Sequence, residues 1–532
     1  MAVLGLARAL PVLGLLFTTA CKADGAAQAS SGAREAVLFF STEVSGYIEP
    51  CGCTSKPLGG IQRLARVVLD EKLPHAVIDA GDLLFPSEPI TEATREQHVL
   101  KARLLARMYR QLGAAAINLG PTELAGGAEL LKDLQREGAV PFVSANVRPV
   151  GDRGPSVAQS FLRELGGIKI GLTGVATPET MTTDPAFTAL EYAPPLKAEI
   201  ALLKKRGAEL IVVLAHVGAK EAQDLAALVP EVDVLIRAPG TPIGHAPAAP
   251  ERVGGVLVLE AGSQGQHVGR LRLRLPAGAI TRPLALDDGG ARQKQQNALV
   301  ERKIRALEQE VETLKADPKN AEAVTARQTQ LVELKKKLEA PARPEATGEA
   351  FGLKVDLVPL TEEVKGEPNA VEVLGAYYSQ LKSMNAKKGD LSLCKYPPEA
   401  PHYVGSEACK TCHEPAYAFW TTTKHSQAWA TLENQGKHFD LTCIGCHSVA
   451  YQTPGGYCRL DDIGVLKNVG CEMCHGPGSA HAVAGDKKSV RRGVTESTCA
   501  SACHVPAHSD TFEFRTYLSR ITGPGHRLGA GS

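Results

Sequence analysis

Three stretches, Cys409-Lys410-Thr411-Cys412-His413, Cys443-Ile444-Gly445-Cys446-His447 and Cys471-Glu472-Met473-Cys474-His475, read C-x-x-C-H, and Cys499-Ala500-Ser501-Ala502-Cys503-His504 reads C-x3-C-H. C-x-x-C-H is the attachment signature of c-type haem. Two thiols form thioethers with the porphyrin vinyls, and the adjacent histidine is brought under the ring as proximal iron ligand. Paired zinc ribbons also use C-x2-C, but they have no need of a histidine after every second cysteine. Four c-type haems are therefore expected, held by Cys409, Cys412, Cys443, Cys446, Cys471, Cys474, Cys499 and Cys503. His413, His447, His475 and His504 are the proximal ligands. The extra residue of the fourth motif bears on how completely that haem is attached. Ten of the 13 Cys lie from residue 394 onward and ten of the 15 His from residue 402 onward. The surplus His402, His425, His438, His481, His508 and His526 suit distal ligation and six-coordinate iron.

A second group of chemically able residues lies near the other end, in Gly46-Tyr47-Ile48-Glu49-Pro50-Cys51-Gly52-Cys53, followed by Gly59-Gly60-Ile61-Gln62-Arg63. Cys51 and Cys53 could form a redox disulfide, ligate a thiophilic metal or receive electrons from the haems. The glycines would let backbone approach a ligand closely. The structural alternative is a plain disulfide, or one of these cysteines paired with Cys394 or Cys458, in an oxidising compartment.

The elements that position these groups form several units. A chain of 532 residues should hold two or three domains. Its 44% apolar content is ordinary for globular cores, and a net charge of +1 argues against nucleic acid as a partner. Residues 1–21 read as a signal peptide, with an apolar run from Ala9 to Phe17. Cys21 after small residues marks a lipidation box, although Thr18 stands where Leu is usual; cleavage near Ala20 is the alternative. Residues 22–34 are a tether rich in small residues. The expected place is the periplasmic side of a bacterial membrane, held there by a lipid, with periplasmic or membrane redox proteins as partners.

Across 35–284 short apolar runs alternate with helical stretches. Among them are Ala36–Phe40, His75–Asp79, Ala115–Ile117, Lys169–Thr173, Leu210–Leu214, Val232–Ile236 and Gly255–Leu259. Strands separated by helices argue for an α/β layered fold. The order of Asp79-Ala80-Gly81-Asp82, Asn118-Leu119-Gly120-Pro121-Thr122-Glu123, Ser144-Ala145-Asn146-Val147, Leu214-Ala215-His216-Val217-Gly218 and Gly265-Gln266-His267-Val268-Gly269 resembles the calcineurin-like metallophosphoesterase fold, in particular exported 5′-nucleotidases. That resemblance implies a two-metal site. Here the first strand runs into Ser41-Thr42-Glu43 without the family's D-x-H, and Arg237-Ala238-Pro239-Gly240-Thr241-Pro242 stands where a late G-H-x-H would be. Of the implied ligands Asp82, Asn118 and His216 remain, too few to hold two cations and make hydroxide. The expectation is a retained scaffold with a dead or altered site.

Residues 285–345 turn to Glu, Lys, Gln and Ala. Val300, Ile304, Leu307, Val311 and Leu314 form an a/d seam, Asp317-Pro318 breaks it, and Val324, Leu331, Leu334 and Leu338 resume it. This is a coiled-coil-like helical hairpin with arms of about 22–27 Å, either a spacer or a docking arm. A return strand and a short helix occupy 346–384, and 385–401 is a linker. The last unit, 402–532, is mainly helical or irregular, with the haems themselves supplying much of the core. It resembles the cytochrome c554 family in Tyr403-Val404-Gly405-Ser406, Lys424-His425-Ser426-Gln427-Ala428, Gly476-Pro477-Gly478-Ser479-Ala480-His481 and Gly523-Pro524-Gly525-His526. By that resemblance His425 and His481 lead the distal candidates, then His526 and His438, then His402 and His508. Electron transfer is the leading function. A phosphoester or nucleotide hydrolase with a fused cytochrome, and a haem oxidoreductase acting on a small nitrogen or sulfur compound, are the alternatives.

Overall fold

The computed structural model describes residues 32–532 except 51–56, 88, 139, 182–183, 241–244, 291–296, 298–299, 302, 306, 309–310, 312–320, 340–350, 502, 506–508, 510–511, 525 and 527–532. Two sheets carry the N-terminal domain. The first, of seven strands, runs Ala285–Asp287, Gly352–Pro359, His267–Leu275, Arg34–Ser41, His75–Asp79, Ala114–Asn118, Phe142–Val143 across its width. The second, of six, runs Glu251–Val253, Val256–Leu259, Val234–Ala238, Leu210–His216, Ile168–Ala176, Ser160–Leu165. Side chains of a strand alternate between faces, and here both faces are apolar. Leu38 and Phe40 face the other sheet with Ile78, Val212, Leu214 and Ile236. Val37 and Phe39 face outward into a helical layer. That layer includes Glu92–Gln111 and Pro368–Asn385, while Ala193–Lys205 and Ala219–Leu228 cover the second sheet. The result is a four-layered α/β sandwich, the metallophosphoesterase-like architecture expected.

The central strands are parallel. Ser41 is in register with Asp79, and Ala238 with His216. Their carboxyl ends share one edge, where open α/β sheets bind ligands.

The strand Ala285–Asp287 pairs in parallel with Gly352–Pro359, so it belongs to the sheet rather than to the helical arm, as 285–345 would have it. Parallel neighbours need a long crossover, and the arm is that crossover. Its helix Ala321–Glu339 packs Leu331, Leu334 and Leu338 against Val300, Ile304, Leu307 and Val311. Lys335 pairs with Glu308 at 2.8 Å across the two limbs.

The C-terminal region is built of short helices: Ser406–Thr421, Leu441–His447, Cys471–His475, Glu496–Ala500 and Phe514–Ile521 among them. The first is kinked at His413 (φ −121°, ψ 38°), where Pro415 enters. A small core of Trp429, Leu432, Leu441, Ile444, Val449 and Leu466 lies beneath the second motif. The segment 385–401 is tied into the structure rather than hanging as a linker. Asn385 is fully buried, and Cys394 forms a disulfide with Cys458. Neither Cys394 nor Cys458 is therefore left to pair with Cys51 or Cys53.

Candidate functional sites

In the C-terminal region histidine rings face one another in pairs. His413 and His481 have centroids 6.1 Å apart and planes 27° apart; His475 and His526 are 6.4 Å and 24° apart; His425 and His504 are 6.3 Å and 48° apart. A metal–imidazole bond is about 2.0–2.1 Å and a ring centroid lies about 1.1 Å behind its nitrogen, so two imidazoles across one iron stand roughly 6.3 Å apart. All three separations fit a metal between the rings.

In four of the motif and distal histidines the second ring nitrogen has a partner. Nδ1 of His447 lies 2.6 Å from the Ala428 carbonyl, that of His475 2.7 Å from the Arg491 carbonyl, and that of His481 2.9 Å from the Asp486 carbonyl. A carbonyl only accepts, so each Nδ1 donates and Nε2 keeps its lone pair, the arrangement a metal-ligating histidine requires. His504 Nδ1 is 3.1 Å from Ser509 Oγ. Burial pushes His425, His504 and His526 below the usual imidazole pKa, favouring the neutral ligand form.

His402 and His438 are placed differently. His402 packs on Tyr396 and His438 on Phe439 and Trp429, and the buried Nδ1 of each makes no hydrogen bond. Neither ring is paired with a proximal histidine at these separations. His508 lies outside the described residues. Cysteines of different motifs also meet: Cys409 neighbours Cys471, and Cys446 neighbours Cys503. The first motif thus lies beside the third, and the second beside the fourth.

At the shared strand edge of the N-terminal domain, Glu43, Asp82 and His216 are buried and offer ligand atoms all within 4.8 Å of one another. Glu43 and Asp82 have φ of 49° and 60°. Such left-handed conformations in non-glycine residues are costly and cluster at functional sites. Asp82 Oδ2 is 2.9 Å from His216 Nε2, and Oδ1 accepts from Thr122 N at 2.9 Å. Burial pushes the Asp82 carboxyl up, but the His216 charge and hydrogen bond outweigh it and the net shift is down. Burial pulls His216 down, and Asp82 reverses this to a net rise. The two form a buried ion pair. Glu43 is raised, chiefly by burial. Behind them Glu123 accepts from the backbone N–H of Asp82, Leu83, Leu84 and Gly120 at 2.7–3.0 Å. Burial and then the Asp82 charge push it up to about 7.

His245 Nε2 lies 3.4 Å from Glu43 and 3.1 Å from Glu260, whose carboxylate also pairs with Arg237. Sequence reasoning passed over Glu43, His245 and Glu260. The Gly244-His245 dipeptide shortly after the strand Val234–Ala238 was the available signal. Asn118, the remaining candidate, keeps its Oδ1 buried and without a hydrogen bond. Its Nδ2 donates to the Ala80 and Val175 carbonyls at 3.1 and 2.9 Å, tying neighbouring strands together. Among the described residues, three donors in one cluster fit a single cation. Among the described residues no second group of three His, Cys, Asp or Glu side chains lies within such reach. Cys51 and Cys53, like Cys21, lie outside the described residues.

Residues 408–476 match the family described as "Cytochrome c554 and c-prime". Cytochrome c-554 of Nitrosomonas europaea is 29% identical over 140 residues, 20% of this chain and 59% of that one. A snake venom 5′-nucleotidase from Gloydius brevicauda is 27% identical over 228 residues, 39% of this chain and 37% of that one. The crystal structure of a 5′-nucleotidase precursor from Thermus thermophilus aligns with TM-score 0.45 at 20% identity, covering 76% of this chain and 68% of that one. The chain thus spans under two fifths of the venom nucleotidase and under two thirds of the cytochrome. The N-terminal domain is similar to 5′-nucleotidases and the C-terminal region to cytochrome c554.

Proposed function

We propose that this chain is an exported multihaem c-type cytochrome that carries electrons and serves its own N-terminal domain. The observation that carries this reading is the set of three facing imidazole pairs, each including the histidine of an attachment motif. The first motif would hold its haem between His413 and His481, the third between His475 and His526, and the fourth between His504 and His425. The second would hold a fourth haem on His447. Bound there, c-type haem supplies one-electron exchange at a potential set by axial ligands and burial. The chain's own part is to fix His447, His475, His481 and His504 by their Nδ1 bonds.

The acceptor end of this reading is the loop of Cys51 and Cys53, which lies between the described residues Pro50 and Pro57, a few residues along the chain from Glu43. The Cys394–Cys458 disulfide supports export, since such bonds persist in oxidising compartments. A lipid on Cys21 would hold the protein at the membrane beside its redox partners. A reductive titration followed visibly, with thiol labelling of Cys51 and Cys53 at each point, tests the reading. Thiols that appear as the haems are reoxidised support it, and thiols indifferent to haem state oppose it.

Hydrolysis of a phosphoester or nucleotide is the second reading, favoured by the identity with the venom 5′-nucleotidase. Against it stands the small ligand set. Purified protein incubated with Mn2+ and a nucleotide decides: rapid phosphate release would put hydrolysis first.

A further inference from the structure

Polar contacts between the N-terminal domain and the cytochrome region converge on residues 437–441, immediately before Cys443. The Glu49 carboxylate accepts from the Tyr378 hydroxyl and lies 3.0 Å from Lys437 Nζ. Gln97 Nε2 donates to Asp440 Oδ1 at 2.5 Å, and Gln97 Oε1 accepts from Leu441 N at 3.0 Å. Asp440 in turn caps the helix Leu441–His447 through Thr442 N at 3.0 Å. Two tyrosine rings, Tyr377 and Tyr378, stand at this junction edge to face, with centroids 5.0 Å apart. Tyr377 is buried, and its hydroxyl is pushed up chiefly by that burial and then by the Asp440 charge. Glu49 and Glu43 both lie in the loop after the strand Arg34–Ser41, so this contact ties the residues before the second motif to the loop that supplies Glu43.

We propose that the second attachment motif, Cys443–His447, is the electron port between the two parts of the chain, and that Glu49 and Lys437 are the positioning pair that tunes it. The proposal rests on the electron-transfer reading above. With haem bound, the site would give one electron per transfer and be re-reduced through the other haems by the exported redox partner. Two transfers with two protons reduce one protein disulfide, the acceptor class, to two thiols. A carboxylate near such a site favours the more positive, oxidised state, and an ammonium group favours the reduced one.

The test is spectroelectrochemical titration of the full-length, haem-loaded protein as wild type, Glu49→Gln and Lys437→Met. The component of the second motif is assigned by its loss in the Cys443→Ser/Cys446→Ser variant. That component should rise in midpoint with Glu49→Gln and fall with Lys437→Met, while the others stay in place. The exchanged pair Glu49→Lys/Lys437→Glu should return it towards wild type. Mere loosening of the junction would move it the same way in both single variants. A shift of like sign in both, a shift confined to another component, or no shift at all overturns the port assignment. A wild-type protein with no titrating haem overturns the electron-transfer reading itself, so the two failures are distinct.

Discussion

Removing the His425 imidazole leaves His504 without the ring that faces it across 6.3 Å. His425→Ala is expected to convert one haem, and one only, from low-spin to high-spin, read by electron paramagnetic resonance. His438→Ala is expected to leave the spin states unchanged, because that ring packs on Phe439 and Trp429 instead. Asp440 carries the pH dependence of the junction. Burial raises its carboxyl, but Lys101, Thr442 and Gln97 outweigh this and the net shift is below the ordinary 3.8. A depressed carboxyl contributes stability that is whole above its unfolded pKa and is lost as pH falls through the folded one. Docking of the two parts should therefore weaken only below about pH 4, and Asp440→Asn should abolish that acid step in a thermal-melt series. At this scale the attachment cysteines and proximal histidines were legible, because thioether chemistry dictates their spacing. Which distal ring meets which proximal one was not, since His425 and His504 are joined only by the folded path between them. Glu43 was missed because a carboxylate just beyond a strand end carries no signature until folding brings Asp82 and His216 beside it.

Between elements, Gln97 on the helix Glu92–Gln111 satisfies Asp440, Leu441 N and Asn385 at once. Gln97→Leu leaves those buried groups short of a partner, each at a cost of about 1–3 kcal/mol. The expected result is a lower melting temperature for the cytochrome region, with the haem spectrum at room temperature intact. The helical arm should behave independently. Leu331→Ala is expected to cost about 2–5 kcal/mol locally, seen as lost helicity in the far-ultraviolet circular dichroism, without a change in haem absorbance. The arm's seam was legible from its apolar spacing. Its starting point was not, because Ala285–Asp287 has no strand signature of its own and is held in the sheet by Gly352–Pro359.

Across the whole molecule, the disulfide Cys394–Cys458 pins the segment entering the cytochrome region to the loop between its second and third motifs. Cys394→Ser with Cys458→Ser should cost about 2–4 kcal/mol, measured as a reduced unfolding midpoint. The layered α/β fold could be read from alternating apolar runs. The contact between the two parts could not, because buried polar groups such as Gln97 and Asn385 look like surface residues in sequence. What the whole account stands on is covalent haem at the C-terminal end. The intact mass of the denatured full-length protein, made with a working haem-ligation system, tests this most directly. The account predicts a mass four haems above that of the processed polypeptide; a mass without that increment would contradict it.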